Sequence, residues 1–296
     1  MKNVINYYYN IVIDDIHHHD QQYYFQFNNY WYLLLPYYKS INELEYNYQI
    51  LISNNLYCYD IIRNKNNEII TIINDIPYVL LKENIKNRKI TSSDIIKSSI
   101  KVDSINKNNW KQKWCEKIDY YEYQMEQFEK KYPVLYESFA YYSGVTEVAI
   151  SLLNFLNNDE IVQYTSHYRI NNTSTLRDLY NPLEIIVDSR VRDIAEYFKH
   201  TYFYRYNPID EVQEYIQNNY LSYNEIILFI SRLIYPSYYF DIYDEIIKER
   251  ETEDKIDLII NKLEDYEIFL SEVYNELCKN YSIPEINWLK KVVKQY

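Results

Sequence analysis

Over residues 1–84 the apolar residues occur in short runs, which is the spacing of β-strands. Residues 23–38 contain two such runs that meet at Asn28 and Asn29, and residues 68–83 contain another pair. Asparagine enters left-handed backbone conformations more readily than most residues with a side chain, so it can replace glycine in a tight hairpin turn. The pattern predicts a small unit built mainly of β-hairpins.

One helix interrupts these predicted strands. Ser40 has the side chain of an N-cap residue, and Glu43 completes the sequence pattern of a capping box. The apolar positions that follow have helical spacing and form one face, made of Leu44, Tyr48 and Leu51. Residues 11–14 are a further apolar segment that we interpret as a strand. The predicted order is therefore β-β-β-α-β-β.

The remaining residues, 85–296, have mainly helical periodicity. The polar segment 84–109 is predicted to be a linker or a surface excursion. Helical spacing then produces a first apolar stripe, made of Trp114, Ile118, Tyr121, Met125 and Phe128. Pro133 ends that helix and begins the next. Two short strand candidates, at 161–165 and 183–188, lie among the helices.

A longer apolar stripe runs from Ile256 to Leu277 with spacings of three and four residues. Packing of this stripe within the chain is one interpretation. The seam of an intermolecular coiled coil is the other.

The composition excludes two common nucleotide-binding motifs. The chain has 296 residues, of which 39 are tyrosine and one, Gly144, is glycine. A P-loop and a Rossmann fingerprint each need several glycines, so neither can be formed. Residues with AT-rich codons are abundant and those with GC-rich codons are rare. This indicates that an AT-rich genome is the main cause of the unusual amino-acid composition.

The net charge of the chain argues against two further classes of function. A net charge of −12 argues against non-specific binding to nucleic acid or anionic membranes, since both favour clustered lysine and arginine. No apolar run approaches the roughly 20 residues that span a bilayer, and no secretory signal is evident. We therefore expect cytoplasmic synthesis and no membrane insertion.

The cluster at 17–20, three histidines and an aspartate, is interpreted as a solvated turn, with a zinc or nickel site as the alternative.

Three segments of the second half resemble one family. They are YYSGVTEVAISLL at 141–153, VDSRVRDIAEYFK at 187–199 and SRLIYPSYYFD at 231–241. Their order is similar to that of the YutH-type spore coat-associated proteins of spore-forming Firmicutes, which are relatives of the CotS-type coat proteins. The resemblance implies an α+β, protein-kinase-like fold of the aminoglycoside phosphotransferase branch. A small β-rich N-terminal lobe would occupy 1–84, and a larger, mainly helical C-terminal lobe 85–296.

Enzymes of this fold work by positioning and charge stabilisation, and the resemblance implies where their parts would stand in the first lobe. The glycine-rich loop has no glycine, and the third-strand lysine is missing from 33–36. Glu45 is the candidate for the helix glutamate, or else an ordinary solvated helix residue. The adenine-binding hinge would lie around Leu81 and Glu83. Backbone groups hold the adenine base there, so the side chains at these positions do not exclude nucleotide binding.

The catalytic loop would be SHYRINNTS at 166–174. His167 matches the family histidine, which braces the loop by hydrogen bonds. Arg169 stands where the catalytic aspartate would be, and arginine cannot accept a proton in a protein. Ser174 stands where the metal-binding asparagine would be. The resemblance therefore implies degenerate catalytic positions.

Asp188 matches the family aspartate that holds magnesium. Without its partners it would bind the metal weakly, and its alternative role is the N-cap of the next helix. Asn171 and Asn172 are near the missing asparagine position but out of register. Asp193 belongs to an R-D-x-A-E motif in which the aspartate bonds backbone near the catalytic loop.

These losses predict a kinase-like protein without phosphotransferase activity that acts as a structural or assembly factor in spore coat formation. Its expected partners are other spore coat proteins, and its expected destination after synthesis is the coat. No cofactor is expected. The alternatives are an active small-molecule phosphotransferase that uses ATP and magnesium, and an unrelated scaffold or binding protein.

Overall fold

The structure is a computed structural model that describes residues 1–56, 59–84, 87–103, 109–128, 130–157, 161–171 and 173–291. The chain forms two compact units. The first combines Met1–Thr91 with Thr173–Ile185, and the second combines Ser92–Asn172 with Ile186–Tyr296. The first unit is β-rich and the second is mainly helical, which is the α+β division predicted from the apolar pattern.

Strands dominate the first unit and helices the second. The strands are β1 His17–His19, β2 Gln22–Phe27, β3 Tyr30–Pro36, β4 Tyr59–Ile62, β5 Ile70–Ile73, β6 Ile76–Glu83, β7 Tyr164–His167 and β8 Ile185–Asp188. The helices are α1 Lys2–Tyr9, α2 Ile41–Ser53, α3 Ser92–Ser98, α4 Trp110–Phe128, α5 Pro133–Leu152, α6 Leu176–Leu179, α7 Val191–Tyr204, α8 Ile209–Asn218, α9 Tyr223–Ile234, α10 Ser237–Ile247, α11 Asp254–Ile260, α12 Leu263–Asn280 and α13 Asn287–Lys291.

An antiparallel sheet forms the centre of the first unit. Its strand order is β1-β2-β3-β6-β4, and β5 also pairs with β6. Phe27 faces Tyr30 across the first turn and Ile73 faces Ile76 across the second, so both predicted hairpins are confirmed. Helix α1 packs on the sheet through the fully buried Ile5, which belongs to the same apolar cluster as residues of β2, β3 and β6.

Several local predictions in this unit are wrong. Residues 11–14 do not form a strand, and α1 and β4 are elements that the apolar pattern did not predict. Ser40 caps α2 by accepting from the amide of Asn42, whereas Glu43 lies 3.1 Å from Lys39 and completes no capping box. An ion pair with a neighbouring lysine has replaced the backbone contact.

Residues with side chains make all the left-handed turns of the described chain. Positive φ angles occur at Asn10, Asp20, Asn28, Asn29, Asn55, Asn67, Asn74, Asp75 and Glu249. Asn28 and Asn29 have φ values of 49° and 64°, as expected for a tight hairpin turn. Gly144 lies instead inside α5, and a Cβ atom added there would meet nothing within 4 Å.

Tyrosines build much of the helical core. The rings of Tyr142 and Tyr239 stack with centroids 3.8 Å apart. The hydroxyl of Tyr239 donates to the carbonyl of Leu135 at 3.2 Å, and that of Tyr266 donates to the carbonyl of Leu233 at 2.7 Å. A buried phenol therefore contributes apolar area while its polar end is satisfied by a carbonyl.

The long apolar stripe near the end of the chain is divided between α11 and α12. Its buried members are Ile256, Ile259, Tyr266, Leu270, Val273 and Leu277. Because these side chains are buried by the chain itself, packing within the chain is confirmed. Within the described ranges, no helix has both the length and the apolar content needed to cross a membrane.

Candidate functional site

The paired strands β7 and β8 position two of the predicted site residues. His167 is the last residue of β7 and Asp188 is the last residue of β8. Both side chains are buried. Helix α7 follows Asp188 closely and begins at Val191.

Asp193, in the first turn of α7, braces His167. The amide of His167 donates to Oδ1 of Asp193 at 3.2 Å, and Nδ1 of the ring lies 2.7 Å from Oδ2. A carboxylate only accepts, so the proton of this contact belongs to Nδ1. Asp193 therefore has the scaffold role expected from its motif, because it bonds the backbone where the loop begins.

Donors from four described residues, Trp110, Ser189, Arg192 and Arg232, contact the carboxylate of Asp188. Oδ1 accepts from the Ser189 amide at 2.7 Å and from Nε1 of Trp110 at 3.1 Å. Oδ2 accepts from Nη1 of Arg192 at 2.9 Å and from Nη2 of Arg232 at 3.4 Å. The alternative of a helix cap is wrong, because Arg190 occupies the N-cap position of α7. Asp188 is the counter-ion of two buried or nearly buried arginines.

The indole of Trp110 lies close to both of these cations. The guanidinium carbon of Arg232 is 4.3 Å from the ring centroid, and that of Arg192 is 4.8 Å away. Nη2 of Arg192 also donates to the carbonyl of Tyr168 at 3.1 Å, in the loop after β7. Arg192 thus connects the end of β8 to this loop, and the cation–π contacts keep both guanidinium planes against the tryptophan.

Arg169, at the position expected for the catalytic aspartate, forms an ion pair. Its Nη1 lies 2.7 Å from Oδ2 of Asp241 in α10. Burial alone would lower the pKa of Arg169, but the carboxylates of Asp241, Asp244 and Glu196 together outweigh burial and raise it. The side chain stays a cation and holds the loop to α10.

The other residues expected near the loop are dispersed. Asn171 lines a cavity of the helical unit, and Asn172 lies outside the described residues. Ser174 is buried and belongs to the first unit, where its carbonyl accepts from the amide of Ile90 at 3.3 Å.

The candidate cofactor residues of the first unit have local partners. Glu45 is exposed and lies 3.4 Å from Arg63. Leu81 is fully buried within β6 and pairs with β3 on one side and β4 on the other. Glu83 is buried, and its Oε1 accepts from Nε of Arg177 at 2.7 Å.

A buried ion pair that the sequence reasoning missed lies next to the arginines. Nζ of Lys199 has no exposed surface and donates to Glu196, to Ser237 and to the carbonyl of Tyr235. Burial by itself would raise the pKa of Glu196, but the charges of Lys199 and Arg232 outweigh it and lower the pKa to about 2. The spacing of Glu196 and Lys199, three residues apart in a helix, was the available signal.

A cavity of about 390 Å³ is lined by Trp110, Arg169, Arg192, Glu196 and Arg232 among others, and all its lining residues belong to the helical unit. Helices α4, α7 and α10, together with the loop after β7, provide most of the wall. Across the described ranges, no three His, Cys, Asp or Glu side chains are grouped so that they could hold a metal ion. The histidines at 17–19 form the exposed strand β1 and not a turn.

Solved structures with a similar fold are phosphotransferases. The aminoglycoside phosphotransferase of Alicyclobacillus acidocaldarius has a TM-score of 0.62 at 9% identity, covering 90% of this chain and 93% of that one. A spectinomycin phosphotransferase in complex with ADP and spectinomycin has a TM-score of 0.63 at 11% identity, covering 93% and 97%. At such identities the likeness shows the fold alone, and that fold is kinase-like, of the aminoglycoside phosphotransferase type.

Sequence comparisons assign the chain to one family among the proteins that share this fold. The family model described as spore coat putative kinase YutH matches residues 2–273, and the chain belongs to this family. A relative, the endospore coat-associated protein YutH of Bacillus subtilis (strain 168), is 30% identical over 211 residues. That match covers 62% of this chain and 61% of the length of the relative. The family resemblance predicted from the three segments is confirmed.

Proposed function

We propose that this chain is a kinase-like protein of the spore coat that does not transfer phosphate and acts as a structural or assembly factor. The descriptions of its family and of the Bacillus subtilis relative support the coat location. The side chains at the catalytic positions support the lack of transfer. The observation that carries the proposal is the contact of two arginines with the carboxylate of Asp188.

A magnesium ion does not fit the surroundings of Asp188. Magnesium requires oxygen ligands at close, nearly octahedral positions. Both oxygens of Asp188 already accept hydrogen bonds, and Oδ2 accepts them from Arg192 and Arg232. A metal ion would have to displace these guanidinium groups and leave them buried without a counter-ion, which is strongly unfavourable. The arginines supply the positive charge themselves.

The loop after β7 also lacks a general base. Among its described residues, 168–171, the side chains are tyrosine, arginine, isoleucine and asparagine. Arg169 is held as a cation by Asp241, and a guanidinium cannot accept a proton. Asp193 is engaged by His167. A substrate hydroxyl placed against this loop would find no carboxylate in it to take its proton.

Titration with ATP and magnesium tests the proposed lack of transfer. A magnesium–nucleotide complex bound through Asp188 would raise stability by RT ln(1 + [L]/Kd), so the proposal expects no shift of the unfolding temperature that depends on Asp188, and no labelled phosphate on small-molecule acceptors. The variants Asp188→Asn and Asp119→Asn form a matched pair, since each removes one carboxylate charge and Asp119 is exposed on α4. Labelled phosphate on an acceptor, together with a shift that persists in Asp119→Asn and disappears in Asp188→Asn, would overturn the proposal in favour of an active phosphotransferase.

The coat location has its own test. The chain fused to a fluorescent protein is expressed during sporulation, and mature spores are extracted in fractions. The proposal expects the fusion in the coat fraction. A fusion that remains in the cytoplasm of the mother cell, while a known coat protein is retained on the spore, would contradict the coat role without bearing on phosphate transfer.

A further inference from the structure

The cavity of the helical unit has a basic wall, although the chain as a whole carries a net charge of −12. Its cationic lining residues are Lys113, Lys117, Arg169, Arg192 and Arg232. Two carboxylates, Glu196 and Asp241, also line it. Glu196 is paired with Lys199 at 2.9 Å and Asp241 with Arg169 at 2.7 Å. Asp188, which lies outside the wall, is shared by Arg192 and Arg232 as their counter-ion. The five lining cations therefore still outnumber the carboxylates paired with them.

Two polar atoms of this wall have no hydrogen-bond partner within the described chain. Beside them, Lys117 lies over the rings of Tyr121 and Phe240 at 5.3 and 5.8 Å, and burial lowers its pKa although Asp244 and Asp241 oppose this. His200 is 8% exposed and Arg232 is 3% exposed. Nδ1 of His200 and Nε of Arg232 are buried and have no hydrogen-bond partner among the described residues. Native proteins pair nearly all such atoms, so these two require an explanation.

Aromatic rings form much of the remaining wall. Trp114 and Tyr235 stack with centroids 4.2 Å apart, and Tyr204 stacks on His200 at 5.7 Å. Tyr204 is 45% exposed and Tyr168 is 53% exposed, so both can present a ring face to a ligand. Charged groups that fix orientation, set among aromatic side chains, are the usual construction of a small-molecule pocket.

We propose that this cavity binds a compact aromatic anion, a single ring that carries a phosphate or a carboxylate group. The anionic group would lie by Lys117, Arg232 and His200, and the ring would lie against Tyr204. A volume of about 390 Å³ suits one ring with one charged substituent. The same cations disfavour amine-rich sugars. A free aryl phosphate and a phosphotyrosine side chain share the required chemistry.

Calorimetric titration of the full chain with phenyl phosphate tests this proposal, and benzylamine and inorganic phosphate serve as comparison probes. None of these can donate a phosphate as ATP does, so the outcome does not depend on whether the chain is a phosphotransferase. Phenyl phosphate should bind more tightly than inorganic phosphate, and benzylamine should not bind. A short peptide with one phosphotyrosine then separates the sources: tighter binding than phenyl phosphate indicates a protein ligand, and weaker binding a free molecule.

Two variants assign the binding to the cavity. Lys117→Gln should weaken binding of phenyl phosphate about tenfold, because a charge-assisted hydrogen bond is lost. Lys111→Gln removes a lysine from the same helix that does not line this cavity, and it should leave binding unchanged. Tyr204→Ala should weaken phenyl phosphate and spare inorganic phosphate. Thermal unfolding confirms that each variant is folded. No binding of phenyl phosphate at millimolar concentration, or equal losses in both lysine variants, would overturn the proposal.

Discussion

Arg192 donates through Nη1 to Oδ2 of Asp188 at 2.9 Å, across one turn at the start of α7. The same arginine reaches the carbonyl of Tyr168 through Nη2. This pair joins the end of β8 to the loop after β7 by side chains of the protein alone. The charge that would attract a metal ion is therefore neutralised by arginine side chains of the chain itself.

Removal of the Asp188 carboxylate should destabilise the fold. Asp188→Ala leaves Arg192 and Arg232 without their counter-ion, and breaking a buried pair in this way costs about 3 kcal/mol. Asp119→Ala, at an exposed position of α4, should change the free energy of unfolding by less than about 0.5 kcal/mol. Urea denaturation measures both variants. Equal stability of the two would refute the counter-ion role of Asp188.

Acid should remove the stabilisation that Glu196 provides. Its pKa in the folded chain is about 2, below the value of 4.5 for the free side chain, so the unfolded chain binds the proton more readily. The contribution, about 3 kcal/mol, is complete above pH 5 or so and is lost as the pH falls toward the folded pKa.

The variant Glu196→Gln lacks this contribution at every pH. Its deficit in the free energy of unfolding relative to the unsubstituted chain should be largest at neutral pH and should shrink between roughly pH 5 and 3. Glu147→Gln, at an exposed position of α5, provides the control and should show no such trend. A Glu196→Gln deficit that stays constant with pH would contradict the lowered pKa.

The left-handed turn at Asn29 should discriminate between side chains. Asn29 has a φ angle of 64°, and alanine is strained there, so Asn29→Ala should lower the free energy of unfolding by about 1 kcal/mol. Asn29→Gly should be neutral or stabilising, because glycine adopts this conformation without strain. Asn42→Ala, in the first turn of α2, tests whether loss of asparagine is harmful in itself and should cost little. Chemical denaturation curves of the three variants give the ranking.

Gly144 should be replaceable. Gly144→Ala places a methyl group in open space inside α5 and should stabilise the chain by about 1 kcal/mol, since glycine is a poor helix former. Ala140→Gly, an exposed position of the same helix, should have the opposite effect of similar size. A destabilised Gly144→Ala variant would mean that this position needs glycine for a reason other than space.

The predicted part of the fold rests on local signals. The hairpins at 23–38 and 68–83 could be predicted because alternation and turn residues both lie within each hairpin. Helix α1 could not, because its three consecutive tyrosines favour strands, whereas its helical state depends on Ile5 packing against a sheet formed later in the chain.

The candidate site also has a part that could be predicted from the sequence and a part that could not. The positions of His167, Arg169 and Asp188 could be identified from their places near strand ends and in the family pattern. Their partners could not, since Arg232 and Trp110 lie 44 and 78 residues from Asp188 in the sequence. Only the folded chain brings these groups together. The basic cavity likewise depends on four separate segments and has no signature in any one of them.

The left-handed turns have a consequence for the codon usage that this architecture tolerates. Each is made by asparagine, aspartate or glutamate, and the lone glycine occupies a helical position where alanine has room. No turn of the described chain therefore requires a glycine codon. An AT-rich codon usage that disfavours glycine is therefore compatible with the backbone course of this chain.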